Sequence, residues 1–214
     1  MKQIRYTLLG DGPSDKALLP LLDWLLHIHY ADYAIQSEWA DPTLLPGAKE
    51  LSERIRKSLE LYPCDLLFVH RDAEKEPLDH RVKEIQTALK HIIYLQHPVI
   101  FVVPIRMQEA WLLFDEFAIR RAVGNPNGKT ELKLPSLKSI ENLPDPKEVL
   151  NDLLRKASEL HGGRLKKLRV SHAAQRVAYY IDDFAPLQHL EAFQHLQAQI
   201  VDLVQSNWQA TERK

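Results

Sequence analysis

Cysteine is almost missing from this chain: Cys64 is the single one, so no disulfide can close within it and a cysteine-built zinc centre is excluded. Cys64 leads into an apolar stretch and reads as a small buried hydrophobe rather than a reactive thiol. Also missing is any run near the ~20 apolar residues that a membrane span requires. The opening MKQIRYTLLGDGPSD interrupts its apolar stretch too early for a secretory signal. The expectation is a cytoplasmic protein with no membrane partner. Charge of one sign is lacking as well: the net charge is −1, so polyanion binding has to come from a local patch. No P-loop, GxSxG, HExxH or dinucleotide fingerprint occurs, which removes the usual sequence support for Walker-type hydrolysis, serine hydrolysis, zincin chemistry and NAD binding. What remains is carboxylate-bound metal chemistry or no chemistry.

What is present is enough apolar material for a substantial core, 45% of 214 residues, in one large domain or a domain with an appended subdomain. Four segments read as strands: residues 4–9, 34–39, 65–70 and 99–103. The last two are continuous apolar runs of the kind buried on both faces of a parallel sheet. Helical periodicity fills the gaps at 14–29, 48–61 and 78–95. Strand–helix alternation through residue 104 predicts an α/β fold, a mostly parallel four-stranded sheet of right-handed βαβ units with helices on both faces. A helix over 107–123 follows, then a loop at 124–144 rich in Gly, Pro, Asn and Lys. Helices at 146–160, 171–181 and 190–208 complete a helical C-terminal part. The organisation expected is an α/β domain over 1–123, a loop or insertion over 124–145, and a helical extension over 146–214 packed on that domain.

Acidic residues stand where strands end. Asp11-Gly12 closes IRYTLLG, and Asp72-Ala73-Glu74 closes CDLLFVHRD. In open α/β sheets ligands bind outside the carboxyl ends of the strands, so these carboxylates are better candidates than the same residues on a helix surface. Asp72 and Glu74 are two apart, and an extended chain would project both to one side with Cα atoms roughly 6 to 7 Å apart. Such a pair suits Mg²⁺ or Mn²⁺ completed by water and phosphate oxygens. Glu109 follows the fourth strand, in a segment with Arg106 and Gln108 at a helix N-terminus that favours anions. Each has a plainer reading: Gly10 to Pro13 as an ordinary turn with Ser14 or Asp15 capping the next helix, Asp72 or Glu74 as a helix cap, Glu109 as a first-turn acid. His70 reads as a satisfied core histidine, and Arg71 as either a phosphate clamp or a partner that balances the acids.

The basic residues cluster once. Between Arg155 and Arg176 the chain carries Arg155, Lys156, Arg164, Lys166, Lys167, Arg169 and Arg176 against one acid, Glu159. Such a patch can bind a phosphate backbone by releasing counterions, or it is simply a solvated face; Gly162-Gly163 would let RLKKLR form a mobile arm near the site. Trp24, Trp39 and Trp111 read as core rather than as stacking platforms for bases.

Together, Asp11-Gly12, Asp72-Ala73-Glu74 and the segment PIRMQEAWLLFD with Glu109 resemble the TOPRIM domain of topoisomerases, primases and OLD-type nucleases. The likeness is greatest to small stand-alone TOPRIM-related bacterial proteins, some linked to defence against phage. It covers roughly residues 4–120, and DPKEVL from Asp145 is also similar. The first acid in that fold is usually glutamate, here Asp11, and the third position of its DxD motif is here Glu74. The resemblance implies Asp11, Asp72 and Glu74, with Glu109, as a catalytic set holding Mg²⁺ or Mn²⁺ for phosphodiester cleavage, Arg71, Arg106, Lys166 and Lys167 contacting substrate phosphates. The alternatives are a nucleic-acid-binding or regulatory module that does not turn over, and a phosphatase or phosphotransferase acting on a small molecule.

Overall fold

The computed structural model describes residues 2–45 and 47–206. Its strands are β1 (Lys2–Leu9), β2 (Tyr33–Ala40), β3 (Leu66–His70) and β4 (Val99–Val102), joined in one sheet of order β2-β1-β3-β4. Every pairing is parallel, with Leu8 beside Trp39 on one side and Phe68 on the other, and Phe68 beside Ile100. The α/β expectation and all four strands are therefore observed. The longer helices are α1 (Leu19–His29), α2 (Leu51–Leu61) and α3 (Leu78–Lys90), followed after β4 by α4 (Glu116–Ala122), α5 (Leu137–Ile140), α6 (Pro146–Ala157), α7 (Gly162–Lys166), α8 (Val170–Val177) and α9 (Glu191–Gln205).

Side chains alternate across each strand, and here both sides are apolar. Ile4, Tyr6, Leu8, Leu66, Phe68, Ile100 and Val102 face a core shared with α1, with Trp111 of the 3-10 turn Gln108–Leu112, with Phe184 of a loop, and with Phe193 and Ile200 of α9. The opposite side, Leu9, Leu67 and Val69, packs on Ile55 of α2 and on Val82 and Ile85 of α3. Trp111 is fully buried against Phe193, with ring centroids 5.8 Å apart, and Trp24 and Trp39 pack at the edge of the same core. The outer edge of β4 is closed by a side chain rather than a strand: the Phe101 N–H donates to Gln199 Oε1 at 2.8 Å, and Gln199 Nε2 donates to the Phe101 carbonyl at 3.0 Å. An unpaired edge is an invitation to strand addition, and an amide presents both a donor and an acceptor.

Several boundaries differ from expectation. The segment after β1 begins as a 3-10 helix, Pro13–Leu18, before α1 takes over, and α3 stops at Lys90 instead of continuing to Leu95. The helix expected over 107–123 is two pieces, a 3-10 turn at Gln108–Leu112 and then α4, because the Asp115 carboxylate accepts the Ala118 N–H at 2.9 Å and starts a new helix. Gly162-Gly163 opens the short helix α7 instead of leaving an arm, and α9 is described to Gln205, with the expected extension to Trp208 outside the described residues. Among the described residues no helix is long and apolar enough to cross a membrane.

The sheet order fixes where a ligand would go. From β1 the chain moves to β2 on one flank, then crosses to β3 on the other, with α1 and α2 on opposite faces. The connections thus diverge at the carboxyl ends of β1 and β3, the crevice where such sheets bind ligands.

Candidate active site

Beyond Leu9 the chain folds a carboxylate back under the strand end. Asp15, 4% exposed, accepts the backbone N–H groups of Asp11 at 2.6 Å and Gly12 at 3.0 Å through Oδ2. Its Oδ1 accepts the Ser14 hydroxyl and the Gln108 side-chain amide, both at 3.0 Å. Gly10 is what permits this: a Cβ there would collide with the Asp15 side chain. Asp11 points elsewhere. Its carboxylate pairs with Arg54 Nη1 at 2.7 Å and Arg71 Nε at 2.9 Å, and Arg71 continues to Glu84 at 2.8 Å. Arg71 therefore balances acids in this structure.

At the end of β3, His70 is buried, and its Nδ1 lies 2.9 Å from the Val102 carbonyl. A carbonyl only accepts, so Nδ1 carries the proton and Nε2 faces Asp72 Oδ1 at 3.5 Å and Asp15 Oδ2 at 3.9 Å. Backbone pairing with the β4 segment continues past the strand through the Ala73 N–H to Pro104 and the Glu74 N–H to Arg106, at 3.0 and 2.8 Å. It ends in two left-handed residues, Glu74 at φ 55° and Arg106 at φ 67°. That turn breaks the extended geometry on which a same-side Asp72–Glu74 pair depends. Glu74 is mostly exposed and 3.6 Å from Arg81, while Arg106 Nη1 donates to the Glu74 carbonyl at 3.4 Å.

The third contributor is the turn after β4. The Gln108 N–H donates to Asp72 Oδ1 at 2.8 Å while its side chain holds Asp15, so one residue joins the two strand ends. Glu109, 7% exposed, sits beside it with Lys147 Nζ 3.9 Å from Oε1. Burial, with further repulsion from Glu109 and Asp15 and partial relief from His70, pushes the Asp72 carboxyl up to about 6. Glu109 is raised too, mainly by burial, with its own N–H and Lys147 pulling the other way. Carboxylates kept ionised against such a penalty favour a cation beside them.

Gln108 and Glu109, but not Asp72 or Asp15, line a cavity of about 480 Å³ whose walls also include Lys147, Arg155, Arg169 and His172. The helical C-terminal part thus supplies its cationic wall. The basic stretch is divided by the fold: Arg155 and Arg169 reach this cavity, Arg164 and Lys167 line a separate groove with Glu159 and His161, and Lys166 is exposed at the end of α7. Arg176 stacks on Tyr180 at 5.4 Å. Cys64 is buried, and burial raises its thiol pKa.

Of the residues singled out in the sequence, Asp72 and Glu109 come together; Asp11 and Glu74 are drawn aside by arginines. Sequence reasoning missed Lys147, weighed Asp15 only as a cap, and placed Gln108 beside Glu109 without giving it a role. A signal for Asp15 existed: with glycines at 10 and 12, a second acid four residues after Asp11 can fold back onto the strand end. Among the described residues no three His, Cys, Asp or Glu side chains form a metal cage by themselves. No protein-family model, curated protein or solved structure matches the chain.

Proposed function

We propose that the protein hydrolyses phosphoesters with the help of Mg²⁺ or Mn²⁺, in the manner of a nuclease, at Asp72 and Glu109. The observation that carries this reading is a pair of neighbouring up-shifted carboxylates, Asp72 partly buried and Glu109 buried, with Glu109 on the wall of a cavity that also carries cationic side chains. The donor set suits such an ion. Among the described residues, Asp72 Oδ2 accepts no hydrogen bond and the buried Gln108 Oε1 has no partner. Mg²⁺ typically takes one or two carboxylates and completes its shell with water and substrate oxygens, so a full protein cage is not required. The order of the acidic motifs along the chain, which resembles that of TOPRIM domains, supports the same reading.

A bound divalent ion would activate water and neutralise charge on a phosphate oxygen. The chain's own part is positioning. Gln108 fixes Asp72 through its backbone, Asp15 fixes Gln108, and the hydrogen bond from His70 Nδ1 to Val102 sets the imidazole edge that faces both acids. Lys147 and Arg169 bind non-bridging phosphate oxygens, stabilising charge that grows in the transition state. The test is cleavage of a single-stranded oligonucleotide with Mg²⁺, Mn²⁺ or EDTA by wild type and Asp72→Asn. Metal-independent cleavage, or undiminished cleavage by the folded variant, would sink the proposal.

A second reading, binding without turnover, is favoured by one observation: Asp11 is already neutralised by Arg54 and Arg71. It predicts oligonucleotide binding that weakens steeply with salt and no cleavage under any metal.

A further inference from the structure

The cavity beside Glu109 is closed by four separate parts of the chain: the 3-10 helix Pro13–Leu18, the Gln108–Leu112 turn, α6 and the segment from Leu168 into α8. At about 480 Å³ it falls in the range of small-molecule sites, roughly 300 to 1,000 Å³. Its chemistry is divided. Lys147, Arg155 and Arg169 are cationic, while Leu112 and Leu168 are apolar. Arg155 is engaged by Asp152 at 2.7 Å and Glu148 at 3.1 Å, whereas Arg169 has no ion-pair partner among the described residues. Arg169 also occupies the N-cap of α8 without a side-chain cap, and Val170, Ser171 and His172 of the first turn line the cavity. The Val170 N–H already donates to the Leu168 carbonyl at 3.0 Å, so the donors left at this end are the N–H groups of Ser171 and His172; the first N–H groups of a helix have no intrahelical acceptor and attract anions. Gln108, also in the lining, is 4% exposed, and its Oε1 has no hydrogen-bond partner among the described residues.

We infer that this cavity takes a phosphoester the size of a mononucleotide, its phosphate held by Arg169, Lys147 and the start of α8, its nucleoside against Leu112 and Leu168. The inference rests on the phosphoester reading above and narrows it to free nucleotides or single nucleotide ends. A duplex, whose backbones lie on the outside of two paired strands, does not enter a pocket of this size.

The test is calorimetric titration of AMP, adenosine and inorganic phosphate in EDTA, where no metal-dependent step contributes. AMP is expected to saturate, with adenosine and phosphate each at least ~10-fold weaker, because loss of a charge-assisted contact or of the apolar contact costs about that factor. Arg169→Glu is expected to weaken AMP by at least ~10-fold, and Lys83→Glu, in the distant groove between α2 and α3, to leave it unchanged. Absence of saturation, equal binding of phosphate and AMP, or an Arg169→Glu variant that binds like wild type would overturn the inference. AMP binding without metal-dependent cleavage leaves it standing and removes the hydrolytic reading; oligonucleotide cleavage without AMP binding does the reverse.

Discussion

Gln108 donates its backbone N–H to the Asp72 carboxylate at 2.8 Å, a bond between the turn after β4 and the end of β3. Among the described residues the second Asp72 oxygen accepts no hydrogen bond, and it lies just past the end of β3, beside the crevice where the sheet connections diverge. The price is a carboxylate in a poorly solvated place with Glu109 and Asp15 nearby.

That placement makes Asp72 destabilising when ionised. Its folded-state pKa of about 6 lies above the roughly 3.9 of an unfolded aspartate. The stability contributed by its protonated form is therefore complete below about pH 4 and is lost as pH rises through 6. At neutral pH the ionised group costs on the order of 2 kcal/mol. Asp72→Asn should accordingly raise the Tm in EDTA by a few degrees at pH 7.5, and the gain over wild type should shrink toward pH 4.5. Thermal melts across that range check it; a gain independent of pH would remove the electrostatic explanation.

Glu109 and Glu74 separate two arrangements of the site. Glu109 is buried at the cavity, and Glu74 is exposed beside Arg81. Glu109→Gln should reduce metal-dependent cleavage by about 10²-fold or more, as loss of a charged group acting in the transition state does, and Glu74→Gln should leave the rate within about twofold, since surface pairs contribute little. Steady-state rates at saturating Mn²⁺ decide between them. A Glu74→Gln variant as damaged as Glu109→Gln would return Glu74 to the metal set.

The sheet was legible because its strands advertise themselves: CDLLFVH is too continuously apolar to be anything but buried on both faces, and Asp11 and Asp72 mark strand ends whatever their role. Fine geometry was not legible, for physical reasons. The left-handed turn at Glu74, stabilised by the Arg106 carbonyl 32 residues away, overrides the extended chain that spacing alone implies. The Asp15 carboxylate has the local sequence signature of a cap, and only the tertiary bond to Gln108 distinguishes the residue. The basic stretch looked continuous, yet Arg155 and Arg164 belong to different hollows because the chain turns between the end of α6 and α7, with left-handed backbone at Glu159 (φ 53°) and Gly162 (φ 56°).

Gly10→Ala tests whether the fold back of Asp15 matters. The added methyl meets the Asp15 side chain at less than contact distance, and relieving the overlap moves the loop that carries the Asp11 and Gly12 N–H groups. Overpacking of this kind costs roughly 1 to 3 kcal/mol. The expected result is a Tm lowered by several degrees together with weakened cleavage, because Gln108 loses its anchor. Unchanged stability with unchanged activity would show that the strand end tolerates another path.

Gln199→Leu provides the complementary case, a change of stability without a change of chemistry. The side chain is nearly isosteric but removes both hydrogen bonds to Phe101 at the β4 edge. Phe101 is only partly buried, so water recovers part of the loss, and a cost of about 1 to 2 kcal/mol is expected for a backbone donor and acceptor left incompletely paired. The freed edge is also open to pairing with a second chain. Denaturant unfolding should show the lower midpoint, light scattering should show slow association at high concentration, and cleavage per folded molecule should match wild type. Should the midpoint hold, the amide would be a surface contact with no part in closing the sheet.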